Sequence, residues 1–422
     1  MDKLERRVLE ISLIIFLTLV IMNSIKFIGI ITTLGSVGKL LFCLIFILGV
    51  ILFVDREKIK IKFLSKKEWI IMISFLLLFT ASFTLITNTR INLLPNLAFP
   101  VYFIFYYFLI KLLIRVYQAK FGIKITKVVQ FKVLDIFRKT LFANFLLWFA
   151  LAIVSGVNMY ETDGGFGGFF QDEIHFGFYV VTGFLVSFYF RYNTISKDTS
   201  YFNLLLILMY GGVATLTSRN AFLIIVVALI FYFGISNIKN RFYRVSLSTL
   251  MIIGVIVGLI IQDFSEEDVI ILTSGRYQIW TLAFEEMFTK NFMLLGNGLF
   301  NLNDVILREN RGIGFYYLDT LENLSFHSSY IEILSGGGIV VLICFFMVIS
   351  KTWKKLEPIE KSILIGILVG ATFESFLVQP FMLIASLFYV IIISNNMEVK
   401  NFVKSTLESD LQHHDKSMLK SY

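Results

Sequence analysis

Three short motifs in the second half of this 422-residue chain set arginine or histidine at the borders of apolar runs. The first is Leu216-Thr217-Ser218-Arg219-Asn220-Ala221, a polar knot between two apolar segments. A guanidinium keeps its charge at any working pH, and its planar fork donates two parallel hydrogen bonds, which suits phosphate. Arg219 therefore has the chemistry to bind an anion at a membrane surface, with Thr217, Ser218 and Asn220 as hydrogen-bonding neighbours. An arginine in that place also serves as a plain snorkelling anchor. The second motif is Ser274-Gly275-Arg276-Tyr277-Gln278-Ile279-Trp280. From Ile279 the apolar residues Ile279, Trp280, Ala283, Phe284, Met287 and Phe288 fall on one helical face. That spacing predicts a helix in the outer interface, ending near Gly296-Asn297-Gly298, with Arg276 at its start. The third is Phe326-His327-Ser328-Ser329-Tyr330. An imidazole titrates near neutral pH without much tuning, so His327 is a candidate general base, though a lone histidine also serves as a polar cap.

Two further places carry polar groups beside apolar runs. A glycine-rich stretch over 164–171 leads into Asp172, Glu173 and His175, and reads as a connector or a mobile lid, the connector being favoured. Glu374 falls within an apolar run, where a carboxylate is costly and usually partnered; it reads as an arginine's structural partner or as a site residue. Metal and nucleotide chemistry lack their motifs: there is no D-x-D, no HExxH, no P-loop and no G-x-S-x-G. Cys43 and Cys344 both lie in apolar stretches, which argues against a disulfide framework or a thiolate metal site.

The elements that hold these residues are membrane helices. Of the chain, 57% is hydrophobic and 16% charged, and its mean hydropathy is +0.79. A soluble domain carries about 25% charged residues, so a soluble enzyme is excluded. The reading is an all-α polytopic membrane protein with about twelve spans of roughly 20 residues each. They fall near 9–31, 37–54, 69–87, 96–117, 140–157, 174–190, 201–216, 221–235, 245–261, 331–350, 363–379 and 381–393. This gives a membrane region over 1–261, a large loop over 262–330, further membrane helices over 331–394 and a tail over 395–422. No cleavable leader is read at the start.

Orientation follows from charge. The stretches 55–68 and 111–139 and the clusters at Lys239/Arg241/Arg244 and Lys351/Lys354/Lys355/Lys361 are strongly basic. The alternate loops are poor in cations and carry carboxylates such as Glu161, Asp163, Asp172 and Glu173. By the positive-inside rule both termini are cytoplasmic and the 262–330 loop faces outward, with Arg219, Arg276, His327 and His175. The net charge of +8 then reflects orientation and contact with anionic lipid, and no nucleic-acid partner is implied. Arginines and a histidine facing outward beside lipid fit an anionic, lipid-linked substrate.

Taken in order, Thr217-Ser218-Arg219-Asn220-Ala221, Gly275-Arg276-x-x-x-Trp280, Gly296-x-Gly298-x-Phe300 and His327-Ser328-x-Tyr330 with Gly338 downstream resemble the O-antigen polymerase/O-antigen ligase family. The resemblance covers about 216–342. It implies a bacterial inner-membrane glycosyltransferase that needs no metal or cofactor and uses oligosaccharides linked to undecaprenyl diphosphate on the outer leaflet. It implies that Arg219 and Arg276 hold the donor diphosphate and that His327 orients or deprotonates the acceptor hydroxyl. Ser218, Asn220, Trp280, Tyr330, Asp172 and His175 complete the expected substrate surface, and Glu374 in Phe373-Glu374-Ser375 resembles a family position. A flippase and a chain-length regulator are the expected protein partners. Ligases of the family tend to carry a second glycine and a tryptophan after the histidine motif; here Gly338 is followed by Ile339-Val340-Val341-Leu342, which favours a polymerase. A lipid-linked oligosaccharide flippase is the reading from another class. It predicts short loops and charges at the midplane, against the long cation-bearing loop found here.

Overall fold

Helices that are apolar around their whole circumference bury themselves among other helices, and the chain is built on that rule. The computed structural model describes residues 2–26, 29–53, 93–121, 125–160, 166–193, 201–236, 275–309, 324–379 and 382–396. In order these form α1 (Asp2–Met22), α2 (Gly29–Phe53), α3 (Leu93–Phe121), α4 (Ile125–Val154), α5 (Glu173–Tyr192) and α6 (Tyr201–Ala214). There follow α7 (Arg219–Leu229, running on as a π-helix over Ile230–Ser236), α8 (Arg276–Thr289), α9 (Asn301–Glu309), α10 (Ser329–Trp353), α11 (Pro358–Gly370), a 3₁₀ turn (Phe376–Val378) and α12 (Leu383–Asn396). Among the described residues the only β pairings are the isolated bridges Ile25–Phe170 and Tyr160–Phe166.

The described residues are thus all-α, and four segments among them are long and apolar enough to cross a membrane: Phe99–Tyr117, Thr126–Val154, Glu173–Tyr192 and Ser329–Trp353. Exposed apolar side chains such as Ile11 and Ile15 on α1, Ile45 and Leu48 on α2, Leu205 and Leu208 on α6, and Ile343 and Met347 on α10 form the surface that lipid would cover. α5 is the axis of the bundle, with every residue from Phe176 to Phe190 buried. It packs against α4, α6, α7, α11 and α12. α11 and α7 approach closely because Gly366 and Gly370 lack side chains; a Cβ on Gly370 would lie 2.4 Å from the Ile224 side chain.

Several boundaries differ from the sequence reading. The described residues of the basic stretch, 111–121 and 125–139, are helical: they form the end of α3 and the first half of α4. Two of its cations are paired, Lys127 with Glu360 at 2.6 Å and Arg138 with Asp135 at 2.7 Å. The span placed at 331–350 is two helices across a break, for Gly338 inside α10 has φ 69° and ψ −175°. The span at 363–379 is not one helix either, since α11 ends at Gly370 and Glu374 lies in the turn that follows. The predicted spans 69–87 and 245–261, and the tail beyond Asn396, lie outside the described residues.

The bundle has two chemically distinct ends. At one end Glu360 of α11 meets Lys127 of α4, Gln130 of α4 meets Asn395 of α12, and Thr352 of α10 meets Asn396. At the other end lie the N-termini of α5, α7 and α10 and the turn after α11. Asn220 bonds the Gly370 carbonyl there at 3.1 Å, and Ser329 N–H bonds that of Ala371 at 2.9 Å. The second end carries the residues singled out from the sequence.

Candidate functional site

Glu374 is the centre of the arrangement. One oxygen, Oε1, lies 2.6 Å from Nη2 of Arg276, and the other, Oε2, lies 3.2 Å from Nδ1 of His327. An ionised carboxylate only accepts hydrogen bonds, so this contact places a proton on Nδ1; in the neutral imidazole Nε2 then keeps its lone pair. The Glu374 side chain is 9% exposed, while His327 is 36% exposed. A buried carboxylate therefore orients a partly open imidazole and guanidinium. Glu374 is thus a partner for an arginine and for a histidine.

The backbone holding this pair is tied twice. Ser329 N–H bonds the carbonyl of Glu374 at 3.1 Å, and Ser329 Oγ donates to the same carbonyl at 2.7 Å. Ser328 N–H donates to Ser375 Oγ at 3.1 Å. His327 itself has φ 48°, a left-handed conformation uncommon for a residue with a side chain. Backbone strain of this kind persists only where the surroundings enforce it. Trp280 helps to do so, donating from Nε1 to the Phe326 carbonyl at 2.6 Å and so fastening α8 to the histidine loop.

The glycines of Gly296-x-Gly298 and of the run Gly336-Gly337-Gly338 serve a backbone crossing. Where α10 breaks at Gly338, its freed carbonyls need donors. Asn297 N–H takes the Ser335 carbonyl at 2.7 Å, Gly298 N–H takes that of Gly336 at 2.8 Å, and Ile339 N–H donates outward to Met293 at 2.8 Å. A Cβ on Gly296 would lie 2.4 Å from the Gly336 backbone, and one on Gly338 would lie 2.1 Å from the Leu294 carbonyl oxygen. No side chain fits between strands of backbone this close.

The remaining expected site residues divide. Arg219 is exposed at the start of α7 and makes no ion pair among the described residues. Its neighbours make hydrogen bonds within the fold. Ser218 caps α7 by accepting from Ala221 N–H at 3.3 Å, and Asn220 bonds Gly370. Tyr330 donates its hydroxyl to the Leu368 carbonyl at 2.6 Å, and Trp280 is engaged as above. Asp172 caps α5, accepting from His175 N–H at 2.7 Å, and also pairs with the His175 ring. Burial works against the Asp172 carboxylate, but the His175 side-chain bond and charge, with the backbone N–H groups of His175 and Ile174, hold its pKa below the usual value.

A small cavity beside His175 is lined by Asn23, Ser24, Phe170 and Tyr179 and does not include Glu374. The described part of the glycine-rich stretch is a packed connector: Gln171 N–H bonds Ser24 and Lys26 N–H bonds Phe169. On α8, Ile279, Ala283 and Met287 are buried against the protein, while Phe288 is 65% exposed.

Sequence reasoning passed over Glu332, Asn303 and Ser375. Glu332 and Ser375 are buried beneath the site, and Asn303 joins them from α9. A glutamate five residues after a histidine, set in the apolar run Ile331-Glu332-Ile333-Leu334, was the available signal. Among the described residues no three His, Cys, Asp or Glu side chains come together as a metal would need. No protein-family model matches the chain, and no curated protein matches it.

Proposed function

We propose that the protein is a polysaccharide polymerase, joining oligosaccharide repeat units carried on undecaprenyl diphosphate at the outer leaflet of a bacterial inner membrane. The observation that carries this reading is Glu374 holding Arg276 and His327 together at the end of the bundle that also bears Arg219. In the proposed topology about twelve spans cross the bilayer, each of roughly 20 residues, with both termini cytoplasmic and this end outward.

In the proposed reaction an acceptor hydroxyl oxygen attacks the anomeric carbon of the donor sugar, whose bond to the diphosphate oxygen breaks. The hydroxyl proton passes to Nε2 of His327, and negative charge grows on the leaving diphosphate. Arg276 and Arg219 meet that charge. Glu374 neutralises part of Arg276 but also fixes its direction, so the guanidinium need not reorganise as charge develops. The ligase reading shares this chemistry and differs only in the acceptor.

The test is a strain lacking the protein, with surface polysaccharide resolved on a gel and lipid-linked sugars extracted in parallel. Surface material capped at one repeat unit is the expected result. Long chains stranded on the carrier would make it a ligase, and repeats trapped on the cytoplasmic leaflet would make it a flippase. Arg219→Ala is expected to lose about 10²–10³ in rate, as deletion of a transition-state donor does.

A further inference from the structure

One carboxylate at this end of the bundle contacts neither Arg276 nor His327. Glu332, in the first half of α10, is 0% exposed. Its Oε1 accepts from Phe326 N–H at 3.1 Å, from Asn303 Nδ2 at 3.0 Å and from Ser375 Oγ at 3.5 Å. Its Oε2 is buried and has no hydrogen-bond partner among the described residues. Phe326 immediately precedes His327, and Ser375 immediately follows Glu374. A single oxygen atom therefore joins the two chain segments that deliver the imidazole and the carboxylate which orients it.

The remainder of the network serves the same junction. Ser375 Oγ receives Ser328 N–H at 3.1 Å, so the residue after His327 is tied to the residue after Glu374. Asn303 Nδ2 also donates to the Leu324 carbonyl at 3.0 Å, anchoring the start of the histidine loop to α9. The loop enters and leaves His327 through groups that converge on Glu332, and the left-handed backbone at His327 sits between them. Hydrophobic packing fixes helices, but it is non-directional; a short polar loop needs directed bonds of this kind to hold one geometry.

We infer that Glu332 is a positioning residue of the site: through Phe326 N–H and Ser375 Oγ it sets the spacing of His327 and Glu374. The inference rests on the reading above that His327, oriented by Glu374, acts on substrate. The role belongs to the Oε1 acceptor and its reach, not to negative charge. Glutamine keeps that acceptor and puts an N–H₂ donor where Oε2 has no partner. Aspartate keeps the charge but is one methylene short.

The experiment uses the full chain in lipid nanodiscs, with lipid-linked oligosaccharide extracted from the strain lacking the protein as the substrate. Glu332→Gln is expected to stay within about threefold of the parent kcat, whereas Glu332→Asp loses about 10- to 100-fold with KM within about twofold, as small misplacements of reacting groups do. A purely structural Glu332 would leave the turnover of the folded Glu332→Asp protein unchanged, and that result overturns the inference. So does a Glu332→Gln protein as slow as Glu332→Asp, because the role would then lie in charge. His327→Ala is run alongside: parental turnover in that variant removes the reading itself, while an inactive His327→Ala beside an unimpaired Glu332→Asp removes only the positioning role.

Discussion

Nη2 of Arg276 stands 2.6 Å from Oε1 of Glu374, joining residues 98 positions apart in the chain. The pair fastens the start of α8 to the turn after α11, so the long loop carrying α8 is docked on the bundle by a charged contact. The Arg276 side chain is 21% exposed, which lets water share in its solvation. Glu374→Gln is expected to cost about 1.5–3 kcal/mol, the worth of a hydrogen bond to a charged group. Thermal unfolding of purified protein measures it. A double-mutant cycle with Arg276→Met should return a coupling of about 0.5–3 kcal/mol, as for residues in direct contact. Additive losses would mean the contact does not exist in the membrane-embedded protein.

His327 combines a left-handed backbone with the only imidazole that contacts Glu374 among the described residues. Asparagine tolerates φ near 48° far better than a β-branched residue does. Under the proposed reaction His327→Asn and His327→Val should both lose turnover, because neither supplies a base. They should differ in stability, with valine worse by about 1–3 kcal/mol, the usual cost of a strained backbone position. Equal melting temperatures would show that the loop relaxes.

The crossing of the Gly296–Gly298 loop over the break in α10 has no room for a methyl group. Gly338→Ala and Gly296→Ala both add a Cβ at positive φ against backbone atoms. Each is expected to lower accumulation of folded protein sharply, since backbone cannot move aside as a flexible side chain can. Gly212→Ala is the control, because a Cβ there meets nothing within 4 Å. Fluorescence-detected size exclusion of tagged variants separates the two classes, and parental profiles for Gly338→Ala would contradict the crossing.

Asp172 gives a pH dependence with a definite sign. Its pKa in the folded protein lies below the ordinary carboxylate value. The stabilisation it contributes is therefore complete above the unfolded-state pKa of about 3.9 and is lost as pH falls through the folded-state value. Melting temperatures of the parent and Asp172→Asn should differ most near neutral pH and converge in acid. A difference that does not shrink as pH falls would assign the effect to packing at the α5 cap.

How much of this was legible beforehand depends on the range of the interaction. Composition and apolar run length are local quantities, and they determined that the chain is an all-α membrane protein, where its apolar runs lie and which polar residues interrupt them. The one-ended placement of Arg219, Arg276 and His327 was legible too, because alternate helix ends meet when antiparallel helices pack. Residue type alone marked Glu374 as needing a partner, since a carboxylate in apolar surroundings is costly.

Tertiary structure decided the rest. That Arg276 and His327 share Glu374, that Ser218, Asn220, Trp280 and Tyr330 are bound to the fold, and that Glu332 lies beneath the site all depend on contacts between segments far apart in sequence. The break in α10 was hidden for the same reason. A run of apolar residues satisfies its backbone equally well as one straight helix until another backbone, here residues 293–298, arrives to take the freed carbonyls and N–H group. Hydropathy counts side chains, and the break at Gly338 is made by backbone groups that only the folded chain brings together.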